Sequence, residues 1–500
     1  MLRTRFSREQ HECESEATNG PGEEHAHNLA LLPCSPRLLA VLTRLPSRSE
    51  VAAMSRLAVP VVLAQVGLML MGVVDTLMVG RVSAEALASV ALGNLYFITL
   101  VVPASGTLMV LDAVVAQAVG AQDHEGVARG VQRGFLLALA LGVLTSLLLL
   151  PVRPMLELFH QPPALIPVAT SYVLISILGV FPFLAFVVLR QSLQAMSQMR
   201  VLVLVIVVAN LANAFLNWVF VYGHLGSPAL GAPGSAWATL VSRWLMALLL
   251  VAFGWRALRP ALVPWRRETL HLAPLRAMLR LGVPIGLHQG LEFGAFAAIG
   301  VLMGVLGTTE MAAHQIAINI ASLTFMVPLG VGAAAAVRVG HAAGAGDADA
   351  ARESARAALV CGVGFMVFTA VVFLLLPVAI AARYTREAPV VALAAALIPI
   401  AGVFQVFDGI QAVSAGVLRG LGDTRVPFLI NLAGFWLVGF PVSVALGFQT
   451  RLGAIGLWWG FVAGLGVVAL LLLLRVRSRL HGPIKRTTVE ADVMHFATDP

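Results

Sequence analysis

Residues 281–346 read LGVPIGLHQGLEFGAFAAIGVLMGVLGTTEMAAHQIAINIASLTFMVPLGVGAAAAVRVGHAAGAG. Two long apolar runs meet at a short turn, Gly307-Thr308-Thr309, and each run is long enough to cross a bilayer as a helix. One carboxylate, Glu292, sits in the middle of the first run. The second run carries Gln315, Asn319 and Ser322 at helical spacing, a polar stripe on an otherwise apolar rod. A charge at that depth costs at least ~2.5 kcal/mol, so Glu292 should face protein or water rather than lipid. A buried structural carboxyl is the alternative to a functional one.

The rest of the chain has the same character. Of its 500 residues, 59% are hydrophobic and only 12% charged, which marks a polytopic membrane protein rather than a soluble globule. The formal net charge is +8. Its basic residues lie in loops between apolar runs, so a nucleic-acid patch is a poor reading. Cys13, Cys34 and Cys361 show neither paired nor metal-ligand spacing. Residues 1–50 are polar, lack a signal-peptide core, and read as a disordered cytoplasmic tail. Within them His11, Cys13, His25 and His27 are too irregularly spaced to read as a metal site. A phosphate-binding GxxxxGK[ST] loop is missing, as are HExxH, CxxC and GxSxG patterns, so neither ATP-driven work nor a familiar catalytic constellation is expected.

Twelve spans are predicted, at about 55–80, 88–118, 130–152, 165–188, 200–222, 235–255, 277–305, 311–341, 355–377, 389–417, 426–448 and 453–475. The segment 256–276 carries Arg256, Arg259, Arg266, Arg267 and Arg276, and reads as a cytoplasmic linker between a lobe at 51–255 and a lobe at 277–475. Residues 476–500 read as a second cytoplasmic tail. Arg129, Arg133, Arg190, Arg200, Arg338, Arg352, Arg356, Arg419, Arg425 and Arg475 fall on the linker's side. Only Arg81, Arg153, Arg383, Arg386 and Arg451 fall opposite. The positive-inside rule then puts both termini in the cytoplasm. The lobes repeat at a nearly constant offset: Pro60 corresponds to Pro284, Pro103 to Pro328, LQAMSQMR at 193–200 to LRGLGDTR at 418–425, and LGAPGSAW at 230–237 to LGAIGLWW at 452–459. Six spans per copy is an even number. The copies should therefore be related by a pseudo-two-fold axis along the membrane normal, with a cavity between them, in an all-α protein of two six-helix lobes.

Of 25 acidic residues, four fall well inside spans: Asp75, Asp112, Glu292 and Asp408. Each is a functional candidate on that ground. In span 5, Asn210, Asn213 and Asn217 share one helix face. Gln405, Asp408 and Gln411 recur every three residues in span 10. A carboxylate with amide oxygens can hold a sodium ion, or the carboxyl can carry a proton; helix-to-helix hydrogen bonding is the plainer use of the same groups. Two neighbouring carboxylates cannot both stay charged cheaply, so either a cation bridges them or one takes a proton. Asp112 reads equally as a site or a structural residue. His288, one turn before Glu292, can share its proton or be a satisfied core histidine. His314 carries the same pair of readings. Arg243, in span 6, can snorkel or counter a carboxylate. Phe325, Met326, Phe435 and Trp436 fit a core stripe or an adaptable pocket for apolar cations.

The run AAHQIAINIASLTFMVPLGVGAAAAVRVGHAAGAGD, residues 312–347, resembles the signature of the multidrug and toxic compound extrusion (MATE) family, and the resemblance extends over about residues 50–475. It implies secondary active efflux of organic, mostly cationic compounds across a bacterial inner membrane, by alternating access in exchange for Na+ or H+, without another cofactor. On the same resemblance Asp75 falls at the family's helix-1 proton- or cation-binding aspartate. Asn213 and Asn217 fall at its helix-5 partners, Glu292 at its helix-7 acid, and Asp408 at the helix-10 aspartate that joins that acid in a cation site. Where the family often has a second acid beside that aspartate, this chain has Phe407 and Gly409. The presence of both Glu292 and Asp408 points to the sodium-coupled bacterial branch. The expected partners are small organic cations, drugs and membrane lipid, for a monomer. The alternative within the fold is a lipid-linked sugar flippase, which would need a strongly basic cavity.

Overall fold

In hydrocarbon a helix is the form in which one apolar segment satisfies its own backbone amides, and the chain is helical accordingly. The structure, a computed structural model, describes residues 46–484 and residue 486. The first half comprises α1 (Arg48–Gly80), α2 (Ala84–Leu108), α3 (Leu111–Gly120), α4 (His124–Leu149), the short α5 (Val152–Leu158), α6 (Ile166–Ile177), α7 (Val180–Ala195), α8 (Met199–Tyr222) and α9 (Ala232–Leu262). A 3-10 turn at Arg267–Leu270 leads to the second half. That half comprises α10 (Leu272–Leu306), α11 (Thr308–Ala345), α12 (Ala348–Leu375), the short α13 (Pro377–Ala381), α14 (Ala388–Gly420), α15 (Arg425–Leu432), α16 (Phe440–Phe448) and α17 (Ala454–His481). Eleven segments are long and apolar enough to cross a membrane, and α6 with α7, bent by 49°, makes the twelfth.

Three spans expected as single rods are interrupted, each at a point of local packing. Span 2 breaks between α2 and α3 at Met109, whose sulfur accepts from Gln289 Nε2 at 3.0 Å. Span 4 breaks at Leu178-Gly179, where a Cβ on Gly179 would stand 3.1 Å from Arg243 Nη1. Span 11 passes through a π-helical turn at Ala433–Gly439, against Gly464 of α17. Element ends also differ from expectation. The tail predicted at 1–50 lies largely outside the described residues, as do Cys13, Cys34 and the three histidines near them. Residues 48–50 are already helix, because Ser47 caps α1 by accepting from Glu50 N at 3.2 Å. The linker predicted at 256–276 shrinks to 263–271, since α9 and α10 both run past the apolar core. For the same reason α17 continues to His481, into the predicted tail 476–500, whose residue 485 and residues 487–500 lie outside the described set.

The duplication is written into the backbone. Left-handed residues recur at the same offset: Gln122 (φ 56°) with Gly346 (φ 74°), Ser197 (φ 60°) with Gly422 (φ 75°), and Gly231 (φ 60°) with Gly453 (φ 54°). Asp123 and Asp347 repeat as N-caps of α4 and α12, accepting from Gly126 N at 2.8 Å and Ala350 N at 2.9 Å. The interface between the halves obeys the same symmetry. A Cβ on Gly120 would lie 2.0 Å from the His341 carbonyl oxygen, and one on Gly344 would lie 2.0 Å from that of Gln117. Gly106 meets Gly286 as Gly330 meets Val62. Each contact is returned by its symmetry mate, as a two-fold axis between the halves requires. Small residues allow these close backbone approaches, the usual means of helix association in lipid.

Candidate functional site

Span 1 carries Asp75 to a pocket in the first half, where it is 9% exposed. Asn217 Nδ2 of α8 donates to Asp75 Oδ1 at 2.6 Å, and Thr239 Oγ1 of α9 donates to Oδ2 at 2.7 Å. Asn217 Nδ2 also reaches Asn213 Oδ1 at 3.3 Å. Asn210 instead donates to Gly67 O at 3.0 Å and so clamps α8 to α1. Arg243 does not snorkel. Its guanidinium lies over the Phe97 and Phe183 rings, 4.5 and 5.5 Å from their centroids, within charge range of Asp75 and Tyr172. Both oxygens of Asp75 are thus engaged, with a cation nearby. Thr239 was not singled out from sequence, because a lone hydroxyl in an apolar helix leaves no periodic mark.

The second half presents a different arrangement. His288 and Glu292 stand one turn apart on α10, with His288 Nε2 3.5 Å from Glu292 Oε2 and the two side chains 12% and 19% exposed. Gln411 Nε2 of α14 comes within 3.5 Å of His288 Nε2. Gln411 also lies beside Glu292, and Asn431 of α15 beside His288. Asp408, one turn before Gln411, is 4% exposed and within charge range of Glu292. Below it, Gln405 Nε2 bonds Thr324 of α11 and Gln405 Oε1 accepts from Thr369 of α12 at 3.2 Å, fixing the face of α14 that holds Asp408. Three buried acceptors here, Asp408 Oδ1, Gln411 Oε1 and Asn431 Oδ1, have no donor. A buried oxygen without a donor is costly unless a proton or cation completes it. Among the described residues no group of three His, Cys, Asp or Glu side chains is placed to hold a metal ion. A cation here would rest on two carboxyls and an amide oxygen, a hard-oxygen set suited to sodium or a proton.

Other sequence candidates fall elsewhere. Asp112 is fully buried between the halves, with Arg419 Nε 3.1 Å from its Oδ2 and Arg190 and Gln191 beside it; Arg419 is also within charge range of His288. Gln315 and Asn319 lie on an exposed face of α11. His314 is 5% exposed and packs edge-on against Trp458, 5.7 Å between centroids. Phe435 is core, against Phe461, and Trp436 Nε1 donates to Leu291 O at 3.3 Å. Phe325 and Met326 are half-buried.

Across the halves, the basic face is clasped. Besides Asp112–Arg419, Arg338 pairs with Glu50, which also accepts from Ser354 Oγ at 2.8 Å. Gln117 Nε2 donates to Gly420 O at 2.8 Å, and His341 Nε2 to Ala195 O at 2.7 Å. Arg486 reaches Asp123 at 2.6 Å. These contacts between the halves lie between the level of Pro103 and Gly290 and the basic face.

The MatE family model matches residues 60–219 and 284–445, one copy in each half. The multidrug resistance protein NorM of Burkholderia vietnamiensis is 39% identical over 428 residues, covering 84% of this chain and 92% of that protein. The multidrug resistance protein MdtK of Pectobacterium atrosepticum is 35% identical over 456 residues, covering 89% and 98%. The crystal structure of the eukaryotic MATE transporter AtDTX14 superposes with a TM-score of 0.78 at 23% identity, covering 86% of this chain and 99% of that one, a likeness of fold.

Proposed function

The chain belongs to the MatE family, and from that premise we propose that it couples outward export of organic cations to inward movement of Na+ or H+ at Glu292 and Asp408. It is a multi-pass inner-membrane multidrug efflux antiporter. The observation that carries the site assignment is the group of donor-less buried oxygens, Asp408 Oδ1, Gln411 Oε1 and Asn431 Oδ1, beside Glu292 and His288. Asp75, already holding two donors and faced by Arg243, acts in this reading as the fixed anchor of spans 1, 5 and 6, with Asn213 and Asn217 its supports. The arginine-rich face is cytoplasmic, with both termini there, and the clasp on that face leaves the cleft open to the outside. The exposed amides of Gln315 and Asn319 fit a cleft wall wetted by water rather than a lipid face. The protein works as a transporter rather than an enzyme, and as a single chain.

Ion binding favours the arrangement it fits better, and that difference in affinity is the whole of the coupling. A flippase for lipid-linked sugars is not favoured. The relatives carry multidrug names, and Arg243 is committed to Phe97 and Phe183 rather than to a basic cavity.

The test is transport in proteoliposomes by Glu292→Gln and Asp408→Asn, each under separate sodium and pH gradients. Both variants should still bind drug but lose gradient-driven efflux. Parent-like pumping by both would remove the assignment.

A further inference from the structure

At the basic face a cavity of about 570 Å³ opens where the two halves meet, lined by Arg56 and Leu57 of α1, Arg200 of α8, and Arg338 and His341 of α11. Its charge is unbalanced. Arg338 is taken by Glu50, and His341 Nε2 by the Ala195 carbonyl. Arg56 and Arg200 are exposed and have no ion-pair partner among the described residues. The first turn of α8 opens on the same cavity through Ser197, Gln198 and Met199, and Gln198 makes no side-chain cap, so its amides add positive potential there.

Below each free arginine runs an exposed apolar stripe on the same helix face. Arg56 heads Val59, Leu63 and Leu70, which are 56%, 54% and 52% exposed. Arg200 heads Leu204, Val207 and Leu211, at 51%, 51% and 69%. The two helices pack together through Gly67, Ile206 and Asn210. Two fixed charges at headgroup depth, each above a strip of hydrocarbon, match an anionic headgroup with its acyl chains.

We propose that this cavity binds the phosphate of an anionic phospholipid, held by Arg56 and Arg200. Guanidinium forks suit phosphate oxygens, and basic pockets between spans at the cytoplasmic surface recognise such headgroups. Arg56 and Arg200 belong to the first half, Arg338 and His341 to the second. The headgroup is therefore held by the first half alone, at its seam with the second.

The full chain, purified in detergent, is titrated with phosphatidylglycerol, phosphatidylcholine or inorganic phosphate, with retained lipid and thermal shift as readouts. Phosphatidylglycerol should bind and stabilise, and the Arg56→Gln/Arg200→Gln double variant should weaken this by roughly tenfold or more, as expected for two arginines. Arg276→Gln, which removes a charge on the same face outside the cavity, should change it less than about twofold. Unchanged binding in the double variant, or an equal loss in Arg276→Gln, overturns the proposal. Stabilisation by inorganic phosphate equal to that by phosphatidylglycerol would assign the cavity to the free anion and overturn its lipid identity.

Discussion

His288 stands beside Glu292 of the proposed ion site, and its charge bears on what that site can hold. Protonated, it places a fixed cation 3.5 Å from Glu292. Neutral, it leaves Glu292 and Asp408 for another cation. His288→Gln is therefore expected to lose the response of drug efflux to an imposed pH gradient while keeping a response to sodium; an unaltered pH response would remove His288 from the coupling. Thr239 makes a simpler prediction. Thr239→Val takes one donor from the buried Asp75 carboxyl and should destabilise the protein by ~1–3 kcal/mol, read from unfolding of the purified chain, while Thr239→Ser should restore it. Spacing alone puts Asn210, Asn213 and Asn217 on one helix face; that Asn217 meets Asp75 is implied by the resemblance to the family and is borne by the hydrogen bond between them. Asp112 could not be placed, since its partner Arg419 is more than three hundred residues away and no periodicity links them. Gln315 and Asn319 share a face as their spacing says, but spacing does not say which neighbour that face meets.

Among the elements, α3 and α11 show how closely the two halves approach at the basic face. With Gly344 against the Gln117 carbonyl, any side chain meets backbone, which cannot swing aside. Gly344→Leu should hold that face open. Cys361, whose sulfur lies 3.9 Å from Ser55 of the other half, offers a native probe once Cys13 and Cys34 are replaced. Its alkylation from the cytoplasmic side should speed up in Gly344→Leu as efflux falls to background; slow alkylation with parent-like efflux would contradict the close contact. Asp123 caps α4 and also meets Arg486. Partial burial would raise its pKa, but the hydrogen bond and charge of Arg486 and the amide of Gly126 outweigh it, and the carboxyl titrates below the usual carboxylate value. Its contribution to stability is therefore full above that usual value and fades as pH falls through the depressed one. Asp123→Ala should cost about 1 kcal/mol of stability at neutral pH, as other N-cap losses do. Span count followed from apolar length alone. The breaks at Met109 and Gly179 and the π turn after Leu432 did not, because each is set by a tertiary neighbour rather than by local propensity.

At the scale of the molecule, the fold is two copies of one design, and the shared offset in prolines, left-handed residues and N-caps is the part a single sequence displays. What a sequence does not display is which end of the cleft is shut. In the proposed reading the clasp of Asp112, Arg419, Glu50 and Arg338 shuts the basic end. Asp112→Asn leaves Arg419 without its counter-charge and should weaken closure, whereas the swap Asp112→Arg/Arg419→Asp should restore part of it, read by Cys361 alkylation; equal exposure in single and swapped variants would deny the pair a role. The central claim is that occupancy of the Glu292–Asp408 site moves one half against the other. Spin labels at His124→Cys and Asp349→Cys, on the exposed first turns of α4 and α12, report the distance between the halves at the basic face. In nanodiscs, addition of sodium or a drop in pH should shift that distance distribution in the parent and leave it fixed in Glu292→Gln/Asp408→Asn. An equal shift in the double variant, or no shift in the parent under either ion, would contradict the account.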